Sequence, residues 1–213
     1  MFKLIAQEFV SQYSFLNLFN FITFRVGASI LTSLFFSLIF GQFIINKLSL
    51  VQPEGQPIRK DGPETHIIQK AGTPTMGGVL IILSVLISSI LWSDLHNNFL
   101  WIGLISLLIF GIIGFVDDFK KIKSNSSSGL KGTTRIVLQL FFALIISLVI
   151  LYILDDKIDT SIAFPFFKNL IINFGYFYLV ISLFIIVGSA NAVNLTDGLD
   201  GLAIVPVMIV AIT

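Results

Sequence analysis

Long stretches without charged residues dominate this sequence and constrain its fold more than any other feature. Of 213 residues, 55% are hydrophobic and only 12% are charged, and the 22 phenylalanines exceed what a soluble domain of this length can bury. About 18–20 helical residues cross the roughly 30 Å hydrocarbon core of a bilayer, where every backbone polar group needs an internal partner. The sequence therefore predicts an all-α, polytopic membrane protein with a single membrane domain over residues 1–213.

Five of these stretches are long enough to be complete membrane spans, and a sixth is too short. The sixth has only 12 residues, and a helix that ended inside the bilayer would leave its last carbonyls unsatisfied. We therefore expect the sequence to be the N-terminal portion of a longer chain. The predicted spans lie near residues 26–45, 73–92, 97–116, 136–154, 170–187 and 202–213.

Basic residues are concentrated in two of the predicted connections. Four lie between the first and second spans and five between the third and fourth, so these loops hold nine of the 13 Lys and Arg residues. The positive-inside rule predicts that both loops are cytoplasmic. Counting spans then puts the connection Ser189–Gly201 on the same side. The net charge of +1 gives no reason to expect a nucleic-acid partner.

Three polar segments interrupt the apolar chain, and each lies at the end of a predicted span on this cytoplasmic side. Residues 70–78 read KAGTPTMGG, residues 117–121 read DDFKK, and residues 191–201 read NAVNLTDGLDG. Polar groups that meet at one membrane–water boundary predict a functional site.

The acidic pair Asp117–Asp118 has two interpretations. One is a solvated helix end in which Asp117 pairs with Lys121, four residues further on. The other is a Mg²⁺ site, because this ion prefers hard oxygen ligands together with substrate phosphates. Adjacent helical residues point about 100° apart, so one carboxylate can face a metal while the other handles a proton or acts as nucleophile.

The first polar segment also has two interpretations. Thr73 or Thr75 can serve simply as the N-cap of the second span. Alternatively, the glycine-rich turn offers backbone N–H groups and a positive helix end to a phosphate, and Lys70 adds a charge.

The third polar segment has a regular spacing. Its polar residues recur every third position, along one side of a helical or 3₁₀-like turn, although an Asp that caps the sixth span is the alternative. These residues are Asn191, Asn194, Asp197 and Asp200.

The first and third segments together resemble the two signatures of the phospho-N-acetylmuramoyl-pentapeptide-transferase family. Asp117–Asp118 resembles the acidic pair of the wider polyprenyl-phosphate N-acetylhexosamine-1-phosphate transferase superfamily. The resemblance implies Mg²⁺-dependent transfer of phospho-MurNAc-pentapeptide from UDP-MurNAc-pentapeptide to undecaprenyl phosphate, giving lipid I and UMP for peptidoglycan synthesis. It also implies a multi-pass protein of the bacterial cytoplasmic membrane with its active site on the cytoplasmic face, and it leaves a homodimer open.

The resemblance further implies individual roles. Asp117 and Asp118 are the expected catalytic and metal-binding residues. The expected substrate-binding residues are Lys70, Thr75, Asn191, Asn194, Asp197 and Asp200.

Three other functions remain as alternatives: a related sugar-1-phosphate transferase with another donor, an ion-coupled transporter, and an inactive fragment. The TPTMGG sequence at residues 73–78 argues against the first, and the absence of an acidic residue in the middle of any predicted span argues against the second. Members of the family have about ten spans, so we expect this chain alone to be inactive.

Overall fold

The computed structural model describes residues 1–53, 55, 72–124, 129–154, 160–163, 167, 169–196 and 202–212. Two compact units divide the chain, Met1–Gly132 and Thr133–Thr213. In the described part, the α-helices are α1 (Phe2–Phe9), α2 (Ile22–Val51), α3 (Gly78–Trp92), α4 (Asn98–Lys123), α5 (Gly132–Leu154), α6 (Tyr178–Thr196) and α7 (Ile204–Ile212), with 3₁₀ turns at Ser14–Asn20 and Gly175–Phe177 and strands β1 (Ser161–Ala163) and β2 (Ile171–Asn173).

The helices confirm the prediction of a helical, multi-pass membrane protein. Among the described residues, four helical segments are long and apolar enough to cross a membrane: Ile22–Val51, Asn98–Lys123, Gly132–Ile153 and Gly175–Thr196. The second predicted span, 73–92, differs because α3 has only 15 residues. At about 1.5 Å per residue it is roughly 22 Å long, which is shorter than the hydrocarbon core.

The fifth predicted span, 170–187, has the wrong boundaries. Residues Ile171–Asn173 instead form a strand that pairs antiparallel with β1, in the register Ser161↔Asn173 and Ala163↔Ile171. Consecutive β-branched residues favour this extended conformation, and Gly175, with φ of +51°, turns the chain towards α6. The prediction of a purely helical protein therefore missed a short β-ribbon.

The helices bury small and polar side chains and expose large apolar ones. Ser84 and Ser88 are buried on α3, and Ala143 and Ser147 are fully enclosed on α5. This distribution is the reverse of a soluble core and is typical of helices surrounded by lipid, where small residues let backbones approach closely. Gly111 of α4 follows the same principle, because a Cβ there would collide with a side-chain methyl group of α3.

Polar contacts join the helices within each unit. In the first unit, the Trp92 indole N–H donates to the Thr32 hydroxyl at 2.8 Å and so connects α3 to α2. The Trp92 ring also stacks on Phe19, with ring centroids 5.7 Å apart and planes inclined by 4°. In the second unit, the Ser182 hydroxyl donates to the Ser147 hydroxyl at 2.8 Å.

The N-terminal helix, α1, is attached to the first unit at the C-terminal end of α3. The amino group of Met1 donates to the Ile90 carbonyl at 2.8 Å, and Lys3 pairs with Asp94. The hydrogen bond from Lys3 is the main reason that the pKa of Asp94 lies below its usual value. This charged contact belongs to the end of α3 opposite the first polar segment.

The Trp92–Thr32 hydrogen bond yields a stability prediction. Thr32→Val preserves the side-chain shape and removes the acceptor, so we expect the free energy of unfolding to fall by about 1 kcal/mol. Unfolding in detergent micelles measures this effect. Thr32→Ser keeps the acceptor and serves as the control; equal stability of the Val and Ser variants would contradict the prediction.

Candidate active site

The acidic pair lies near the C-terminal end of α4, inside the helix. Asp117 is buried, with 6% of its surface exposed, and Asp118 is more accessible. Carboxylates at this end face the negative pole of the helix macrodipole, which is unfavourable. Three lysines in the last turn, Lys120, Lys121 and Lys123, offset that effect with positive charge.

Lys121 bridges the two carboxylates. Its ammonium nitrogen lies 2.6 Å from Asp117 Oδ2 and 2.9 Å from Asp118 Oδ1. The predicted Asp117–Lys121 pair is therefore confirmed, and the same ammonium also binds the neighbouring acid. One positive charge shared by two negative charges leaves the cluster with a net charge of −1 when all three groups are ionised.

The second oxygen of Asp117 is bound by the chain that follows α4. The Leu130 N–H donates to Asp117 Oδ1 at 2.7 Å. Gly129 approaches so closely that a Cβ there would lie within 3 Å of the carboxylate carbon and both of its oxygens. Gly129 does not have a positive φ, so the reason for glycine here is space beside Asp117 and not backbone conformation.

Thr75 connects the first polar segment to the acidic pair. Its hydroxyl donates to Asp118 Oδ2 at 2.9 Å. Helix α3 begins after Gly77 and has no side-chain cap, so the alternative in which Thr73 or Thr75 caps this helix is wrong. The structure thus brings together two of the three polar segments, as the sequence predicted.

The residues before α3, which we call the Thr75 loop (residues 72–77), have an unusual backbone. Gly72 has φ of +78°, and Met76, which is not a glycine, has φ of +71°. The left-handed conformation costs an ordinary residue about 1–2 kcal/mol. Such strain persists only where surrounding contacts hold it, and it is typical of functional sites.

Asn191 and Asn194 belong to the second unit, in the last turns of α6. The structure continues this helix to Thr196, whereas the sequence predicted a loop from Ser189. The Asn191 amide group donates to Gln139 Oε1 at 2.6 Å and to the Val187 carbonyl at 2.8 Å. Asn194 is exposed. Asn191 therefore joins α6 to α5, while Asn194 is the more accessible of the two.

The remaining predicted site residues are Lys70, Asp197 and Asp200, which lie outside the described residues. Sequence reasoning missed Gln139, the partner of Asn191, and Gln52, which contacts Thr75. Both are buried. A polar residue in or beside an apolar span often indicates a functional contact. Gln42 on α2 has the same sequence context and is exposed, so the sequence alone could not distinguish the buried glutamines from Gln42.

Comparisons with known proteins agree with these features. The model of glycosyl transferase family 4 matches residues 100–213, which include the acidic pair. The phospho-N-acetylmuramoyl-pentapeptide-transferase signature 1 matches residues 70–82, which include the whole Thr75 loop.

Curated relatives extend the similarity over most of the chain. Proteins named phospho-N-acetylmuramoyl-pentapeptide-transferase from Rickettsia akari (strain Hartford) and Rickettsia felis (strain ATCC VR-1525 / URRWXCal2) are each 51% identical over 195 residues, and that of Rickettsia prowazekii (strain Madrid E) is 50% identical. The match covers 92% of this chain and 54% of each relative. The chain thus spans about half the length of these relatives.

The contact between Gly129 and Asp117 yields a second prediction. Gly129→Ala forces a methyl group against the carboxylate, so we expect the free energy of unfolding to fall by about 1–3 kcal/mol, as in other overpacked sites. Thermal or denaturant unfolding in detergent measures it. The loss should shrink when Asp117→Ala is introduced as well, because the group that collides is then absent.

Gly132→Ala is the matched control for this prediction. A Cβ at Gly132 meets nothing within 4 Å, and the residue begins α5. Alanine is a better helix former than glycine, so this variant should be as stable as the wild type or slightly more stable. Equal losses in the Gly129 and Gly132 variants would contradict the steric explanation.

Proposed function

Because the chain belongs to glycosyl transferase family 4, we propose that it acts in the transfer of phospho-MurNAc-pentapeptide from its UDP donor to undecaprenyl phosphate, which gives lipid I and UMP. The substrates are inferred from the name shared by three relatives that are 50–51% identical and from the match to signature 1 at residues 70–82. The observation that carries the proposal is the connected polar cluster of Thr75, Asp118, Lys121 and Asp117.

The chemistry of this transfer suits such a cluster. An oxygen–phosphorus bond forms to the sugar-linked phosphorus of the donor, the bond from that phosphorus to UMP breaks, and UMP leaves with the electron pair. Catalysis of phosphoryl transfer consists mainly of positioning and of charge stabilisation. Direct attack by the lipid phosphate and a covalent intermediate on an aspartate are both compatible with two adjacent carboxylates.

We propose Asp117 and Asp118 as the residues that hold Mg²⁺. Among the described residues, no group of three or more His, Cys, Asp or Glu side chains could hold a metal. Mg²⁺ does not require such a group, because it usually takes one or two carboxylates together with substrate phosphates and water. When bound, the ion neutralises phosphate charge. The positive charge of Lys121, within 2.9 Å of both carboxylates, offsets the electrostatic repulsion between them.

The cytoplasmic orientation of the site is also a proposal. It rests on the three lysines in the last turn of α4 and on the two basic loops of the sequence. We also propose that the protein lies in the inner, cytoplasmic membrane of a bacterium. The five complete spans predicted from the sequence are part of this proposal, and so is the homodimer that the resemblance leaves open.

An ion-coupled transporter has less support. The membrane helices α2, α3, α5 and α6 contain no acidic residue in their described sequences, and the acids of α4 lie near its end. Transporters usually bind their ions near the middle of the bilayer, on interrupted helices. The cluster at the helix end therefore favours an enzyme that works at the membrane surface.

The proposal is tested in a protein with the full length of the relatives, made by joining this chain to the C-terminal part of the Rickettsia felis relative. We expect Asp117→Asn or Asp118→Asn to reduce Mg²⁺-dependent UMP release by at least about a hundredfold, because a charged group at the reacting phosphates is lost. The chain alone should release no UMP.

Asp94→Asn is the matched control for the acidic pair. Asp94 is also a carboxylate paired with a lysine, but it lies beyond the opposite end of α3, so its variant should retain activity. Wild-type rates in both Asp117→Asn and Asp118→Asn would refute the assignment of the acidic pair.

A further inference from the structure

Gln52 is a buried glutamine that follows the last residue of α2 and contacts the Thr75 loop. Only 3% of its surface is exposed. Its backbone N–H bonds to the Leu48 carbonyl at 3.0 Å, and its carbonyl accepts from the Gly55 N–H at 2.9 Å. Gln52 thus has a fixed backbone and an enclosed side chain, although it lies outside the segment matched by signature 1.

The side chain of Gln52 binds both backbone polar groups of Thr75. Its Oε1 accepts from the Thr75 N–H at 2.9 Å, and its Nε2 donates to the Thr75 carbonyl at 3.4 Å. The amide of glutamine carries one acceptor and one donor group, as a peptide unit does, so it pairs with Thr75 in one orientation only. Thr75 is therefore held by its backbone while its hydroxyl remains available for Asp118.

A second contact holds the beginning of the same loop. A Cβ at Gly55 would lie 2.7 Å from both Cα and C of Gly72 and 2.9 Å from the Thr73 nitrogen. The backbones of Gly55 and Gly72 therefore touch, and both residues have positive φ values of +71° and +78°. Together with Gln52, this contact restrains the loop at Gly72 and at Thr75, both of which precede the strained Met76 backbone.

We infer that Gln52 is a positioning residue, which holds the backbone of Thr75 so that the Thr75 hydroxyl meets Asp118. The inference rests on the proposed function, since it gives Gln52 a part in the same site. Gln52 acts through Thr75 and does not touch the reacting groups. Loss of its two hydrogen bonds leaves the hydroxyl free to turn away from Asp118. Because Thr75 is one of the expected substrate-binding residues, we assign the resulting loss to binding of the UDP donor.

Amide hydrogen exchange tests the structural half of the inference. It can be measured in this chain alone and needs no activity assay. We expect Gln52→Met, which is close in size and lacks both polar groups, to raise the exchange rate of the Thr75 amide at least about tenfold relative to Ser84 on α3, because the amide loses its hydrogen-bond acceptor. Gln52→Glu keeps the acceptor and should keep the amide protected. The matched control is Gln42→Met, because Gln42 lies on the same helix but is exposed and bonded to Asn46.

Kinetics in the joined full-length protein test the functional half. We expect Gln52→Met to lower kcat/KM for the UDP donor about ten- to a hundredfold, mainly through a higher KM for this donor, with the KM for polyprenyl phosphate unchanged, because small displacements in an active site have effects of this size. A change in folded fraction alone would scale kcat and leave both KM values unaltered. Either that kinetic result or an unchanged exchange rate at Thr75 in Gln52→Met would overturn the inference. If Gln52→Met does not fold, Gln52→Asn takes its place, because the amide of asparagine is too short to reach both polar groups of Thr75.

The two proposals fail in different ways. If Asp118→Asn abolishes UMP release and Gln52→Met changes neither exchange nor donor kinetics, the proposed function stands and the role of Gln52 is wrong. If Asp117→Asn and Asp118→Asn both retain full activity, the proposed function fails. The inference that Gln52 positions a catalytic group then fails as well.

Discussion

The requirement that polar groups inside a membrane find protein partners underlies this structure. Lipid offers no hydrogen bonds, so a polar side chain within a membrane helix is costly unless it binds another part of the chain. Within the first unit, Trp92 binds Thr32; within the second, Ser182 binds Ser147 and Asn191 binds Gln139. These contacts lie between neighbouring helices and specify how the helices pair, which apolar packing against lipid-like surfaces cannot do alone.

The candidate site follows from the same requirement near the end of α4. A buried carboxylate is costly unless it is paired, and Asp117 is bound by Lys121 on one oxygen and by the Leu130 N–H on the other. Asp118 pairs with the same lysine and accepts a hydrogen bond from the Thr75 hydroxyl. The acids are thus held in one arrangement before any substrate arrives, which is the condition for catalysis by positioning.

The sequence predicted the features that depend on local pattern and missed those that depend on distant partners. Length and hydropathy located α2, α4 and α5, and the four-residue spacing predicted the Asp117–Lys121 pair. Hydropathy could not separate a strand from a helix at Ile171–Asn173, because both are apolar. Gln52 and Gln139 were missed because their partners lie 23 and 52 residues away, and no spacing rule reaches that far.

The backbone contact between Gly55 and Gly72 has a consequence for how the protein tolerates change. Because a Cβ at Gly55 would lie 2.7 Å from the Gly72 backbone, any side chain at position 55 forces these two parts of the chain apart. The positive φ of Gly55 adds to the cost, since an ordinary residue disfavours the left-handed conformation. A single substitution at Gly55 would therefore displace the start of the Thr75 loop, although the changed residue lies well before that loop in the sequence.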